Sequence, residues 1–414
     1  MKYRQLPSGK HHCRLALPML TILMLLGNPS DSIAAGVTIG GTASSETDES
    51  GLFAMFAGDR FENFRNMQRF VPTSTMHAAK SPQDMGKNTN SLTFSGEFLG
   101  KQTSLDAFVE FSNTSALLVI KSGEIVYERY AHGDASDSLH TSFSVAKSFV
   151  SALIGIAIAE GHIDSVDDPI RKYLPALTSK TFDGVTIAHV LTMSSGTQFN
   201  ETYTDPDSDI NRMGVMTQTM SYLEYINTLE RAHAPGTYNH YASINTQLLG
   251  ILLVTVTGQS LTDYMQAKLW TPMGMEHDGL WVLDEQGYEL AMGGLAASAR
   301  DYAKLGLLYL NNGKRGKQQI VPMQWVQDSV TPNGAHLLPG DNPASSNPSG
   351  YSYQWWTPRT PDGDYLARGI WGQNIYVHPG NEVVIVKLAA DEKNFDKTIK
   401  LAYIDYLQDL AQSL

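Results

Sequence analysis

A single cysteine, Cys13, occurs in the 414 residues, and it sits ahead of an apolar stretch near the N-terminus. One thiol forms no internal disulfide, and a processed chain without Cys13 has neither a cysteine nucleophile nor a cysteine metal site. Positive charge is scarce as well: 30 Lys and Arg face 42 Asp and Glu, a formal net charge of −12, with no basic run beyond the N-terminus. Nucleic-acid binding needs a positive footprint, so it is excluded as a main role. The histidines His162, His189, His233 and His240 are scattered without metal-ligand spacing, so no metal or other cofactor is expected. No G-x-S-x-G sequence occurs, which leaves an α/β-hydrolase elbow without support. Internal repeats are lacking too.

What is present begins with a targeting pattern. Lys2, Arg4, Lys10 and Arg14 precede Leu15 to Leu26, which is too short to span a bilayer comfortably, and Ser32-Ile33-Ala34 fits a cleavage site. Residues 1–34 are read as a secretory signal peptide, which implies a periplasmic or secreted protein, with an uncleaved anchor as the competing reading. Residues 35–90, opening on Gly, Thr, Ser and acidic residues, read as a flexible N-terminal arm. Residues 91–414 form the folded domain.

Within that domain, Ala116 to Ile120 and Glu124 to Tyr130 flank Lys121-Ser122-Gly123 as two strands around a turn. The middle of the chain, 161–260, reads as helical pieces and loops. Ala297 to Asn311 has helical spacing. Strands are expected again at Ser352–Trp356, Gln373–Val377 and Glu382–Leu388, with a final amphipathic helix over Thr398–Leu410. Strands at both ends around a helical middle imply an α+β fold: a central antiparallel sheet flanked by helices, plus a mostly helical subdomain.

Chemistry is suggested by Ser144-Val145-Ala146-Lys147, at the head of the apolar run Phe149 to Ala159. Positions i and i+3 share a helix face, so hydroxyl and amine project side by side. Serine needs an adjacent base, and a lysine serves only if burial holds it neutral. The same residues read also as a serine-capped helix with a surface lysine. A second candidate is Tyr241, in the loop between the Pro235-Gly236-Thr237 turn and a helix beginning near Gln247. A tyrosine held near an ammonium group can shuttle protons, or it can be plain core.

Ser144-x-x-Lys147, followed by Tyr241-x-Ser243 and Leu249-Gly250, resembles the serine β-lactamase-like superfamily. Asp164 to Ile170, Val190 to Gly196 and Gly293 to Asp301 match in the family's order, so the resemblance covers roughly 100–410. It is greatest to class C β-lactamases, their esterase relatives and the 6-aminohexanoate-dimer hydrolases. The resemblance implies a β-lactamase/transpeptidase-like fold. It also implies that Ser144 forms an acyl-enzyme, that Lys147 supports its deprotonation, and that Tyr241 acts as base and then acid. The family's third motif falls by position on Ala367-Arg368-Gly369, with the backbone N–H groups of Ser144 and Ile370 as the oxyanion hole.

Two departures narrow the reading. Ser243 stands where class C enzymes carry Asn, and the third motif lacks its Lys or His. Both point away from efficient β-lactam hydrolysis. Ser243, Arg368, Gly369 and Trp371 are the substrate-binding candidates, with Arg368 suited to a substrate carboxylate. Glu201 and Asp205 read either as cleft residues or as a solvated loop, and Trp355 and Trp356 either as pocket wall or core. The expectation is an exported serine hydrolase whose partner is a small-molecule amide or ester. A penicillin-binding protein or D-amino-acid peptidase, a weak β-lactamase, and a non-catalytic binder are the competing readings.

Overall fold

The computed structural model describes residues 51, 53–88 and 92–414. The expected signal peptide, 1–34, lies outside the described residues. The runs around Lys121-Ser122-Gly123 form β1 (Thr114–Lys121) and β2 (Glu124–Tyr130), with Lys121 opposite Glu124. Ser122 and Gly123 have φ of 50° and 84°, the two-residue hairpin turn whose twist matches its strands.

Five further strands come from the C-terminal part: β3 (Gly350–Tyr351), β4 (Trp356–Thr357), β5 (Tyr365–Gly369), β6 (Gln373–His378) and β7 (Val383–Ala389). All pair antiparallel in the order β3-β4-β5-β6-β7-β1-β2, so the last strand lies beside the first. The β1 and β7 runs are mostly apolar, with Lys387 an exception in β7, because both faces of the sheet are covered. Leu118, Ile120, Val384 and Val386 enter one core; Leu117, Val119, Val383 and Ile385 enter another.

Four helices frame the sheet and the site: α1 (Ala146–Ala159), α2 (Ser243–Thr257), α3 (Ala299–Leu310) and α4 (Lys397–Gln412). Helix α3 lies on the first face, close enough that a Cβ at Gly306 would stand 2.6 Å from Val384 Cγ1. Helix α4 covers the second face, where Tyr406 stacks on Phe108 at 4.0 Å. Helices α1 and α2 pack in the interior beyond α3, and twelve residues of α1 are buried. The fold is the α+β arrangement expected, a central antiparallel sheet flanked by helices.

Two expectations are corrected. Ser352–Trp356 is not one strand, because Gln354 has φ of +62° and turns the chain. Its amide group donates to Leu191 O at 2.7 Å and accepts from Thr246 Oγ1 at 2.6 Å, which holds the kink. The arm at 35–90 is docked over its described part. Asp59 caps a helix over Arg60–Arg65, and Thr73–Met76 pairs antiparallel with Gly279–Val282. Phe64, Met67 and Met76 are all fully buried, and that apolar burial fixes the segment. The pairing builds a second small sheet in the order Thr73–Met76, Gly279–Val282, Leu295–Ala297, His140–Thr141.

Candidate active site

His140–Thr141 leads straight into the turn that carries Ser144. Ser142 N donates to Leu295 O at 2.8 Å, which fastens the turn to the small sheet. Phe143 adopts φ of +45°, a left-handed conformation that costs on the order of 1–3 kcal/mol in a residue other than glycine. Its ring is held edge-on by Phe64 at 5.0 Å and stacked by Phe56 at 6.0 Å. A tight turn over Phe143–Val145 then runs into α1, leaving Ser144 8% exposed at the mouth of the site.

Lys147 lies one turn on, 1% exposed. Its ammonium donates to Ser144 Oγ at 3.0 Å and to Met292 O at 2.5 Å. Burial pushes its pKa down to about 7, against a smaller opposing pull from the Glu201 carboxylate. Tyr241 is also close, with Lys147 Nζ 5.4 Å from its ring centroid. The loop before it is anchored by Asn239 Nδ2 to Thr192 O at 2.9 Å and His240 N to Met193 O at 2.9 Å, within the Val190–Gly196 block. His240 turns away and meets Phe199 O at 2.7 Å. Burial and the Glu201 charge raise the Tyr241 phenol above its ordinary value, while hydrogen bonding with Ser144 and the Arg368 charge work against them.

Strand β5 closes the site. A Cβ on Gly369 would fall 2.5 Å from Ser142 O and 3.2 Å from Ser144 N, so only glycine lets the strand end lie against the Ser144 turn. Ile370 follows beside Ser144 in the cavity wall. Arg368 lays its guanidinium 4.0 Å over the Trp356 ring, and Trp356 in turn stacks on Tyr241 at 5.2 Å. Arg368 Nη1 is buried without a hydrogen-bond partner. Burial lowers its pKa to about 10, which leaves it charged at neutral pH.

Ser144, Glu201, Tyr241, Arg368, Ile370 and Lys400 line one polar cavity, about 860 Å³ including its open mouth. Lys400, on α4, gave no signal in the sequence, since a lysine in an amphipathic helix ordinarily faces solvent. Here burial, followed by repulsion from Arg368 and Lys397, pushes it down to about 8. Among the described residues neither Arg368 nor Lys400 has a carboxylate within ion-pair distance. Two cations without an ion-pair partner beside a candidate nucleophile have the chemistry to hold an anion.

The other candidates are placed less directly. Glu201 accepts from Ser243 N at 2.8 Å, from Tyr203 OH at 2.6 Å and from Ser243 Oγ. Ser243 is thereby tied to Glu201 and is 2% exposed. Asp205 instead accepts from Asn200 Nδ2 at 3.3 Å and Asp207 N at 3.0 Å. Trp371, expected at the substrate, lines neither of the two cavities beside Ser144; its indole is 1% exposed and packs on Phe56 at 6.0 Å and Phe64 at 5.7 Å. Trp355 packs on Tyr309 at 4.4 Å in the core, while Trp356 lines the polar cavity. Among the described residues no three His, Asp or Glu side chains converge as a metal site.

A family model described as Beta-lactamase matches residues 109–408, and the chain belongs to the β-lactamase family of serine hydrolases. It is 30% identical over 298 residues to the 6-aminohexanoate-dimer hydrolase of Paenarthrobacter ureafaciens, covering 69% of this chain and 75% of that protein. A solved candidate 6-aminohexanoate-dimer hydrolase from Bacillus anthracis superposes with a TM-score of 0.74 at 23% identity, over 90% of this chain and 98% of the other. EstCE1, a hydrolase with promiscuous acyltransferase activity, shares the fold with a TM-score of 0.57 at 16% identity, over 71% of this chain and 95% of its own.

Proposed function

We propose that the protein hydrolyses amide or ester bonds of small molecules bearing a carboxylate, through an acyl-enzyme on Ser144. The observation that carries the proposal is the buried Lys147 ammonium, depressed to about 7 and in contact with Ser144 Oγ at 3.0 Å. In its neutral form Lys147 takes the hydroxyl proton as Oγ attacks the carbonyl carbon. The carbonyl oxygen becomes an oxyanion facing the N–H groups of Ser144 and Ile370. Tyr241, kept protonated by burial, gives its proton to the leaving nitrogen or oxygen as the C–N or C–O bond breaks. Water then adds to the ester carbon by the reverse proton path, releasing a carboxylic acid and restoring Ser144.

The leaving group sits on the Tyr241 side, beside Arg368 and Lys400, so its carboxylate faces the two cations. The relative from Paenarthrobacter ureafaciens, which acts on 6-aminohexanoate dimer, supports a linear amide with a terminal carboxylate. Efficient β-lactam turnover is not expected, because Ser243 is engaged by Glu201 and the third motif offers no Lys or His. The N-terminal pattern of residues 1–34 supports export to the periplasm or beyond.

Purified protein treated with a fluorophosphonate probe is expected to label at Ser144, and to turn over p-nitrophenyl esters and linear amides but not nitrocefin. Equal labelling of Ser144→Ala would remove the nucleophile. Labelling without turnover on any substrate would leave a binding protein.

A further inference from the structure

The polar cavity accounts for one side of the scissile bond. On the other side of Ser144 lies a second cavity, about 870 Å³ including its open mouth. Its walls are mostly apolar, with Phe53, Met55, Phe56, Ile210, Met213 and Leu290 among them. Ser144 and Ile370 line both cavities, whereas Tyr241, Arg368 and Lys400 line only the polar one. The proton donor must face the leaving atom, so the leaving group occupies the polar cavity. The acyl substituent, across the carbonyl carbon, then points into the apolar chamber.

Resting on the acyl-enzyme reading above, we infer that this chamber takes an extended hydrocarbon acyl chain. The substrate class is therefore an amphiphile: a fatty-type acyl group joined through an amide or ester to a carboxylate-bearing leaving group. The chamber's wall belongs in part to a segment ahead of the family-matched residues 109–408. Phe53 and Phe56 come from residues 53–56, and Phe56 is fixed by stacking on Phe143 and Trp371, each at 6.0 Å. Phe53 closes on the helix Asp209–Met216, where a Cβ at Gly214 would stand 2.9 Å from Phe53 Cζ. An unsubstituted helix face at Gly214 is what lets the ring seal that wall.

The test is the chain-length profile of p-nitrophenyl acetate, butyrate and hexanoate. With each methylene fully buried, kcat/KM should rise about fourfold per CH2, the equivalent of ~0.8 kcal/mol. Ile210→Trp, which fills the chamber, should collapse the hexanoate-to-acetate ratio toward one, and Phe53→Ala should lower it by removing wall contacts. Acetate turnover with a flat or falling profile overturns the chamber while leaving the acyl-enzyme intact. A rising profile that both variants leave unchanged places the chain elsewhere and overturns it too. Absence of labelling and turnover on every ester sinks both readings together.

Discussion

The pH dependence of a neutral ester is the sharpest check on the proton path. Lys147 must be neutral to accept the Ser144 proton, so kcat/KM should climb as pH rises through about 7 and then level off. A lysine at its ordinary 10.5 would be neutral in only about three molecules per ten thousand at pH 7; depressed to about 7, half are neutral. Burial thus raises the working base by roughly three orders of magnitude. At pH 5 the rate should lie about a hundredfold below the plateau, since the neutral fraction falls tenfold per pH unit. Glu201→Gln removes the carboxylate that pulls Lys147 upward, and should move the limb to lower pH. Lys147→Met should cost about 10²–10⁴-fold and abolish the limb. Initial rates on p-nitrophenyl acetate from pH 5 to 9 decide it. A profile still climbing at pH 9 would assign the base to the Tyr241 phenolate, whose pKa is raised above 10.0. A limb that survives in Lys147→Met would refute the reasoning.

Arg368→Met keeps an unbranched side chain over Trp356 but removes the guanidinium. It should lower kcat/KM about 10–150-fold on a carboxylate-bearing ester, from ~1.5–3 kcal/mol per charged hydrogen bond, with little change on the matched methyl ester. Because Lys400 titrates near 8, KM for the carboxylate substrate should rise as pH passes upward through that value, and KM for the methyl ester should not. Gly369→Ala should cost on the order of a hundredfold in kcat with the circular dichroism unchanged, because its Cβ would displace β5 from the Ser144 turn; wild-type kcat would refute the close approach.

The sheet was legible where residue chemistry was local. The apolar runs of β1 and β7 and the Lys121-Ser122-Gly123 turn carry their own signals, and so does the i, i+3 spacing of Ser144 and Lys147. The small sheet was not legible, because His140–Thr141 and Leu295–Ala297 are too short to show any period. Ser352–Trp356 has strand composition, yet the side-chain hydrogen bonds of Gln354 override it. The docking of 53–88 escaped because Phe64, Met67 and Met76 are scattered among polar residues and find their partners only in three dimensions. Lys400 escaped for the same reason: its meaning lies in Arg368, 32 positions away.

Trp356 sits between Arg368 and Tyr241, touching both. The anion capture and proton delivery proposed for these two residues would therefore share one aromatic spacer. In the proposed mechanism the anion held by Arg368 and the phenol that protonates the leaving atom would contact opposite partners of the same ring. Under that mechanism a change at Trp356 would disturb substrate selection and bond cleavage together, not one alone.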